Sequence, residues 1–391
     1  MQLAILKAAA LAAVLQATSA SPILPIARGR HNVLATTKTN DGQILDWIVP
    51  ESQIGGSKIA TPPPPPKNNA ITSHHTRAAL QARVAGDPGR QGPNGTVPVL
   101  RADGSRKPTE SNKKLPTKEI LAAIPKVDSA PASNEGAHWY ASSGQRITNH
   151  GGKGTFSLFK AFTEHDADFS LLQTAVIKQK PIEQTVEAGW INFPNQIAKP
   201  HLFSFYTTNG YTRNGDNIGG WNTETTGWVQ VDSELYPGVS FSPLSADGGS
   251  QYELEIGYYL SEGNWWLWCL DRFIGYYPGS LFSASVAEAD SLADHSDLID
   301  WYGEVFNSGP ALTKTDMGSG EFPKAGFGKS AYIHNILYVD ANNTYVEYNG
   351  SDNVIISDSS RYNMQASWGS ATTWGSYFYV GGPGAGGKTG A

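Results

Sequence analysis

Short β-strand patterns follow one another through most of the chain, and helical periodicity is almost absent. Runs of β-branched and aromatic residues are separated by Gly, Asn, Asp and Pro. The predicted strands cover residues 169–177, 185–192, 201–208, 228–231, 252–260, 265–270, 273–276, 299–306, 332–339 and 344–348. One short helix is predicted over residues 286–293. So many short strands over about 260 residues, without a fixed repeat, predict an all-β, antiparallel β-sandwich or barrel, and we favour the sandwich.

The first third of the chain has a different composition. Residues 1–128 carry 16 Lys and Arg against 8 Asp and Glu, a charge of +8, whereas residues 129–391 carry 13 against 27, a charge of −14. Every Tyr and Phe and all Trp except Trp47 lie after residue 128. We therefore predict a small, partly ordered front over residues 21–128 and a separate sandwich domain over residues 129–391.

Residues 1–20 have the pattern of a secretory signal peptide. Lys7 is followed by an apolar run from Ala8 to Leu15, and Ala20 precedes Ser21-Pro22. No later stretch is long and apolar enough for a transmembrane helix, so we expect a secreted, extracellular protein without a membrane partner. Three N-glycosylation sequons agree with secretion, at Asn94, Asn342 and Asn349.

The front contains little that could form a core by itself. A polyproline spacer runs over residues 61–66, one strand is predicted at residues 44–49, and one helix is predicted at residues 117–124. A linker or a cell-wall anchor are alternatives. Its position behind a signal peptide, its size and its charge favour a propeptide that accompanies the following domain.

Cys269 is the only cysteine, so the protein has no intramolecular disulfide and depends on its core for stability. The thiol lies in an apolar run, Trp265-Trp266-Leu267-Trp268-Cys269-Leu270. No neighbouring group would activate it as a nucleophile. We predict an inert, buried thiol.

Several chemistries are disfavoured by missing motifs. The sequence has no Gly-x-Ser-x-Gly and no His-Glu-x-x-His. Residues 164–168, Glu-His-Asp-Ala-Asp, could supply metal ligands, but we interpret them as a solvated turn and predict no metal and no cofactor. The acidic composition of the sandwich domain disfavours nucleic-acid binding.

Two carboxylates occur in unusual surroundings. Glu187 is flanked by Val186, Ala188 and Gly189 inside a predicted strand, and Glu304 lies between Gly303 and Val305. Strand alternation places Glu187 on one face with Thr185, Gly189 and Ile191, and Glu304 on one face with Asp300, Tyr302 and Phe306. Each could simply point to solvent on a one-sided sheet, or each could lie in an aromatic cleft.

An ordered set of blocks resembles the neprosin family of secreted glutamic peptidases. The central blocks are Thr185-Val186-Glu187-Ala188-Gly189-Trp190 and Trp301-Tyr302-Gly303-Glu304-Val305. Residues 40–46 and 95–101 resemble the propeptide blocks of the family. Residues 169–173, 201–211, 263–267, 274–278, 281–282 and 379–384 resemble its catalytic domain, so the resemblance covers about residues 40–385. Two features differ from the usual pattern of the family: plant-type members use disulfides whereas this chain has one cysteine, and Tyr302 stands where the family often has a second glycine. These differences suggest a divergent branch of the family.

The resemblance implies a propeptide followed by an antiparallel β-sandwich with a catalytic glutamate pair, Glu187 and Glu304. It also implies an acid-acting endopeptidase that prefers to cleave after proline. In such a mechanism a carboxylate activates a water molecule and a carboxylic acid donates a proton, without an acyl-enzyme. We expect a polypeptide substrate, rich in proline, and a monomeric enzyme.

Other residues are candidates for supporting roles. If residues 173–187 form a hairpin centred on Lys180, Gln173 lies directly opposite Glu187 and could donate to an oxyanion. Tyr206 is a second candidate donor. The candidates for an aromatic wall of the substrate cleft are Trp190, Tyr302, Trp265 and Trp266.

Two other classes remain open from the residues themselves. A β-sandwich glycoside hydrolase also needs two carboxylates and aromatic platforms. A non-catalytic carbohydrate-binding protein would use the Tyr and Trp surface. The opposite charges of the two parts suggest that the front covers the acidic domain as an intramolecular inhibitor at neutral pH and is released on acidification.

Overall fold

Strands build nearly all of the regular structure of the protein. The computed structural model describes residues 32–55, 57–64, 79–84, 86–101, 114–116, 133–350, 353–369 and 373–387. Within these residues there is no α-helix, and no helix long and apolar enough to cross a membrane. Short 3-10 helices occur at Pro50–Ile54, Pro88–Arg90, Gly279–Leu281, Glu288–Asp290 and Pro323–Ala325. The predicted signal peptide and the helix predicted at residues 117–124 lie outside the described residues.

The front forms a small sheet of its own. Strands β1 (Val33–Lys38), β2 (Ile44–Ile48) and β4 (Val97–Leu100) pair antiparallel in the order β1-β2-β4. Strand β3 (Leu80–Gln81) instead pairs parallel with a strand of the sandwich domain. The strand predicted at residues 44–49 is therefore present, and β1, β3 and β4 were not predicted.

A seven-stranded antiparallel sheet forms one layer of the sandwich. Its spatial order is β10-β9-β8-β7-β15-β5-β18. The strands are β5 (Ala137–Asn149), β7 (Phe169–Lys178), β8 (Gln184–Phe193), β9 (Ile197–Thr207), β10 (Gly219–Trp221), β15 (Ser296–Asn307) and β18 (Asn353–Ile356). The two strands that carry Glu187 and Glu304, β8 and β15, lie on either side of β7.

A second sheet of ten strands forms the other layer. The main path is β11-β14-β13-β12-β6-β16-β20-β19, with β17 paired to β16 and β3 paired to β12. These strands are β6 (Gly151–Ser157), β11 (Val229–Gln230), β12 (Tyr252–Ser261), β13 (Asn264–Cys269), β14 (Arg272–Pro278), β16 (Ala331–Val339), β17 (Tyr345–Glu347), β19 (Asn363–Ser367) and β20 (Tyr377–Gly381). The predicted all-β, antiparallel sandwich is confirmed.

The main core lies between the two sheets. One face of the seven-stranded sheet contributes fully buried side chains such as Leu172, Trp190 and Trp301, and the ten-stranded sheet contributes Ile256 and Leu267. Because side chains alternate along a strand, the neighbouring residues of β7, β8 and β15 occupy the opposite face of the seven-stranded sheet. This second face, which we call the outer face, carries Glu187 and Glu304.

The helix predicted over residues 286–293 is wrong. Only Glu288–Asp290 form a 3-10 turn, and both Ala287 and Ser291 are extended. The backbone of Leu292 bonds to side chains of neighbouring strands: its N–H donates to Gln184 Oε1, and its carbonyl accepts from Trp265 Nε1. These tertiary hydrogen bonds replace the helical ones.

The front binds the sandwich domain mainly through uncharged contacts. Gln53 and Gln230 exchange two hydrogen bonds of 2.8 Å, one donated by Gln53 Nε2 to the Gln230 carbonyl and one donated by the Gln230 N–H to Gln53 Oε1. Gln43 Nε2 donates to the Gly238 carbonyl at 2.7 Å. Strand β3 adds backbone pairing to β12.

Charge contributes little to this contact among the described residues. Two ion pairs, Arg90–Asp41 and Arg101–Asp46, join residues within the front. The ion pair that crosses from the front to the sandwich domain joins Asp41 to Lys199 at 3.9 Å, so here the acid belongs to the front and the base to the domain. This polarity is the reverse of the one that the net charges suggest, and the described contacts do not support binding by overall charge.

Candidate functional site

Glu187 and Glu304 lie on the outer face of one sheet, on strands separated by β7. Residue pairing aligns Glu187 with Ala175 and Ala175 with Asp300, so Glu304 lies four residues further along β15. Both glutamates are fully buried. The two side chains therefore project from the same face of the sheet, two strands and four residues apart, and do not face each other from opposite walls of a cleft.

Among the residues that the structure describes, four side chains donate hydrogen bonds to Glu187. Its Oε1 accepts from Tyr211 Oη at 2.6 Å and from Thr185 Oγ1 at 2.9 Å. Its Oε2 accepts from Gln173 Nε2 at 2.8 Å and from Tyr302 Oη at 3.3 Å. An ionised carboxylate can only accept hydrogen bonds, so this ring of donors suits the ionised form.

The contact between Gln173 and Glu187 forms in a different register from the predicted one. Gln173 pairs with Gly189, and Glu187 pairs with Ala175, so the pairing differs by two residues from the predicted one and the hairpin is centred on Pro181 instead of Lys180. A shift of two residues keeps both side chains on the same face, and the diagonal spacing still allows contact. Gly189 permits the close approach of strands β7 and β8 at this point, because a Cβ atom there would lie 1.9 Å from the Leu172 carbonyl oxygen.

Glu304 has a histidine partner. His138 Nδ1, on β5, lies 2.6 Å from Glu304 Oε1, and both side chains are buried. The imidazole ring packs against Phe306 and Phe169 at centroid distances of 5.0 and 6.0 Å, and stacks on Tyr140 at 6.1 Å. These rings hold the imidazole in place beside the carboxyl group.

Three tyrosines of the site are held in the neutral form. Burial, with the charges of Glu187 and Glu304 nearby, raises the pKa values of Tyr302 and Tyr140 well above their usual range. Burial and the charges of Glu187 and Glu183 do the same to the pKa of Tyr211. Each hydroxyl therefore remains a hydrogen-bond donor in acidic and neutral solution.

Two further carboxyls lie near Glu187. Asp300 is buried on the outer face, where Ser142 Oγ lies 2.9 Å from both carboxyl oxygens, and burial raises its pKa to about 7. Burial and the charge of Glu187 raise the pKa of Glu183 to about 7. Both groups take up protons in mildly acidic solution, which lowers the negative charge around Glu187.

Apolar side chains border the polar site at both ends. At one end Phe169, Leu171, Ile191, Phe193, Phe203, Phe205, Trp221 and Phe306 form one cluster. At the other end a second cluster contains Tyr140, Ala175, Ile177, Leu298, Tyr302 and, from the front, Leu115. Tyr211 packs against both clusters. The site is thus a polar strip between two apolar surfaces, one of which contacts Leu115 of the front.

Four of the predicted site residues lie elsewhere. Trp190 and Tyr206 point into the core between the sheets, where Trp190 Nε1 donates to the Ser157 carbonyl and Tyr206 Oη to the Thr226 carbonyl. Trp265 is in the same core, and Trp266 is on the far side of the ten-stranded sheet. The predicted cleft role of the three tryptophans and the predicted donor role of Tyr206 are therefore wrong. Aromatic composition alone could not distinguish residues of the core from residues of a cleft.

The sequence reasoning missed His138, Tyr140 and Tyr211. Strand β5, which carries the first two, was not predicted, because its serines and glycine weaken the strand signal. Tyr211 lies beyond the end of β9, at a positive φ of 61°. Its hydroxyl reaches Glu187 only because the loop folds back and stacks the ring on Phe205 at 5.8 Å. A sequence pattern does not report such a contact.

Several other predicted features are visible at the surface or in the core. Asn94, Asn342 and Asn349 are exposed, as sugar attachment would require, and glycosylation itself remains a prediction. Cys269 is buried with a free thiol, and burial raises its pKa. In the described part of the chain, no group of three or more His, Cys, Asp and Glu residues is arranged to hold a metal ion.

Comparison with known proteins places Glu187 and Glu304 within a family domain. The sequence pattern of the family described as Neprosin matches residues 166–383, more than half of the 391-residue chain. Among solved structures, scytalido-glutamic peptidase with a transition state analog inhibitor is 6% identical, covers 62% of this chain and 98% of its own, and has a TM-score of 0.32. SCP-B, a member of the Eqolisin family of peptidases in a complex with the tripeptide Ala-Ile-His, is 5% identical, covers 63% of this chain and 97% of its own, and has a TM-score of 0.29.

Proposed function

The chain belongs to the neprosin family and is a glutamic-type peptidase, and from this premise we propose that it is a secreted, acid-acting endopeptidase whose catalytic residues are Glu187 and Glu304. The observation that carries the proposal is the position of these two buried carboxyls on one sheet face, each held by hydrogen bonds. Burial of a carboxyl group costs free energy unless the group is paired, so both groups are expected to lower the free energy of unfolding.

Glu187 is the general base in this proposal. Its donors keep the carboxylate ionised, and a water molecule that takes the place of the donors at Oε2 can give up a proton to it while the water oxygen attacks the scissile carbonyl carbon. Glu304, beside His138, donates its proton to the leaving amine as the carbon–nitrogen bond breaks. Glu187 then returns its proton to solvent and Glu304 takes one up, which restores the starting state without an acyl-enzyme.

Neutral donors next to Glu187 stabilise the developing oxyanion. Gln173 Nε2 and Tyr302 Oη both donate to Glu187 Oε2, so both lie where a bound carbonyl oxygen would meet them. A neutral donor suits this role because it stabilises the negative charge of the transition state without first forming an ion pair with Glu187. The support role predicted for Gln173 is retained, and Tyr302 takes the place of Tyr206.

Action in acid follows from the proton that the mechanism requires. A glutamic acid side chain in water keeps its proton only in acidic solution, with a reference pKa of about 4.3. An enzyme that needs one ionised and one protonated glutamate is therefore expected to work in that range. Protonation of Asp300 and Glu183 below about pH 7 reduces competing negative charge at the site.

The front is an intramolecular inhibitor that occupies the site. Tyr140 Oη donates to the Lys114 carbonyl at 3.0 Å, and Leu115 is buried against the apolar cluster that contains Tyr302. Pro116 is buried next to it. A proline held at this position supports a preference for proline-containing substrates. Substrate entry requires this segment to leave, so the uncleaved chain is expected to be latent.

Mapping of cleavage products tests this function. The full chain is incubated at pH 3–7 with a mixture of unstructured peptides, with and without proline, and with polysaccharides, and the products are sequenced by mass spectrometry. We expect internal peptide-bond cleavage below pH 6, concentrated after proline, and no released sugar. Cleavage of the polysaccharides alone would refute the proposal in favour of the glycoside hydrolase alternative.

A further inference from the structure

The three described residues Lys114, Leu115 and Pro116 lie on the outer face like a short bound peptide. The Lys114 backbone carbonyl accepts a hydrogen bond from Tyr140 Oη at 3.0 Å. Leu115 keeps only 3% of its surface exposed, although it belongs to no strand. A backbone anchor combined with one buried side chain is the usual way in which a cleft recognises an extended peptide.

The leucine side chain is buried in an apolar cluster to which three neighbouring strands contribute, and we call this cluster the pocket. β5 contributes Tyr140, β7 contributes Ala175 and Ile177, and β15 contributes Leu298 and Tyr302. All five side chains are apolar or aromatic and project from one face, because their positions alternate with the core-facing residues. The pocket can exclude water from an aliphatic side chain, and it would leave the charge of a carboxylate or ammonium group without a solvent shell.

The pocket adjoins the base of the proposed mechanism. Ala175 pairs directly with Glu187 across β7 and β8, and Tyr302 donates to Glu187 Oε2. Directly paired residues on one sheet face have Cβ atoms about 5 Å apart. A side chain in this pocket therefore belongs to a residue close to the bond that the water activated by Glu187 would attack.

We propose that the pocket of Tyr140, Ala175, Ile177, Leu298 and Tyr302 is a substrate subsite for an aliphatic side chain of leucine size, with Tyr140 as the anchor for the substrate backbone. The inference rests on the proposed peptidase function and adds a preference that is separate from proline itself. Leu115-Pro116 indicates that the aliphatic residue directly precedes proline. Ala175 sets the size of the pocket, because a larger side chain there would fill it.

The test compares peptides that differ at one position. Quenched fluorescent peptides carry Leu-Pro, Ala-Pro, Gly-Pro or Asp-Pro in otherwise identical sequences. The catalyst is the full chain with Leu115→Asp, in which a carboxylate is expelled from the apolar pocket, and Leu115→Ala serves as a milder version. The ratio of kcat/KM values for two peptides on one sample does not depend on the fraction of active enzyme.

We expect Leu-Pro to be cleaved at least tenfold better than Gly-Pro, with Asp-Pro the poorest substrate. Adding Ala175→Leu should abolish the advantage of Leu-Pro while Gly-Pro is still cleaved. If the Ala175→Leu chain does not fold, Leu298→Ala is the second test. It enlarges the pocket and should move the preference towards larger side chains. Adding Leu312→Ala, at an exposed position, should change nothing.

Two unfavourable results have different meanings. Equal kcat/KM values for Leu-Pro, Ala-Pro and Gly-Pro would overturn the subsite and leave the peptidase function standing. Failure of both Leu115 variants to cleave any of the peptides between pH 3 and pH 7 would overturn the peptidase function and the subsite with it.

Discussion

The contact of Leu115 with the outer face should determine the latency of the full chain. Leu115 is almost completely buried against the apolar cluster beside Glu187. Truncation of a buried leucine to alanine costs about 2–3 kcal/mol at the lower end of its usual range. Since 1.4 kcal/mol corresponds to a factor of ten, Leu115→Ala should raise the open fraction of the uncleaved chain by about 25- to 150-fold.

Charge should contribute much less to latency. The ion pair between the front and the sandwich domain joins Asp41 to a Lys199 side chain that is 58% exposed, at 3.9 Å. Such pairs are worth about 0–1 kcal/mol and are screened in 1 M salt. Raising the salt concentration should therefore change the activity of the uncleaved wild-type chain by less than about fivefold.

The assay measures initial rates of peptide hydrolysis on samples that a denaturing gel shows to be uncleaved. Leu115→Ala is compared with wild type at low and high salt, and Leu312→Ala is the control at an exposed site. A Leu115→Ala chain as latent as wild type, or a wild-type chain opened by 1 M salt, would refute the argument that burial holds the front in place.

Three further predictions concern the site and the core. Tyr211→Phe removes a donor to Glu187 Oε1 and should lower kcat/KM by about 10- to 100-fold, whereas Tyr206→Phe, in the core, should leave kinetics near wild type; equal losses would contradict the site geometry. Cys269 should react with a thiol reagent only after unfolding, and Cys269→Ala should keep activity; rapid labelling of the native chain would show that the thiol is accessible. Thermal unfolding of the Glu304→Gln chain, used to avoid self-digestion, should give a higher Tm at pH 5 than at pH 8. Burial raises three carboxyl pKa values to about 7 or 8, so the unfolded chain loses these protons from about pH 4 upward while the native chain retains them, and stability falls as pH rises through that window. The three carboxyls are those of Asp300, Glu183 and Asp316. The buried imidazole of His201, whose pKa burial lowers to about 4, changes the stability in the opposite direction below pH 6.5, and the three carboxyls outweigh it. A Tm that rises from pH 5 to pH 8 would contradict these pKa shifts.

The sequence was sufficient to predict the sandwich and the shared face of the main site residues. Alternation along 299–306 predicted that Asp300, Tyr302 and Glu304 lie together, and the pairing of β15 with β7 places all three on the outer face. Alternation is a local property of a strand, so it can be predicted without knowledge of the partner strands.

Contacts between distant segments were not predictable in the same way. His138 reaches Glu304 across 166 residues, and Leu115 reaches the pocket from the front. Trp190 was assigned to the cleft although its neighbour Glu187 occupies the opposite face, an error that alternation itself could have corrected, because the two positions differ by an odd number of residues. The charge split of the chain suggested electrostatic binding of the front, whereas the described contacts are hydrogen bonds, strand pairing and apolar burial.

The most direct test of the glutamate pair is hydrolysis by single Glu→Gln variants. Glu187→Gln and Glu304→Gln keep the size of the side chain and remove its ability to exchange a proton, and Glu262→Gln, at an exposed turn, is the matched control. Purified full-length variants are assayed on a proline-containing peptide at pH 3–5, with Tm as a check on folding. We predict a loss of kcat/KM of about a hundredfold or more for each site variant and none for the control. Near-wild-type hydrolysis by either folded site variant would contradict the central claim.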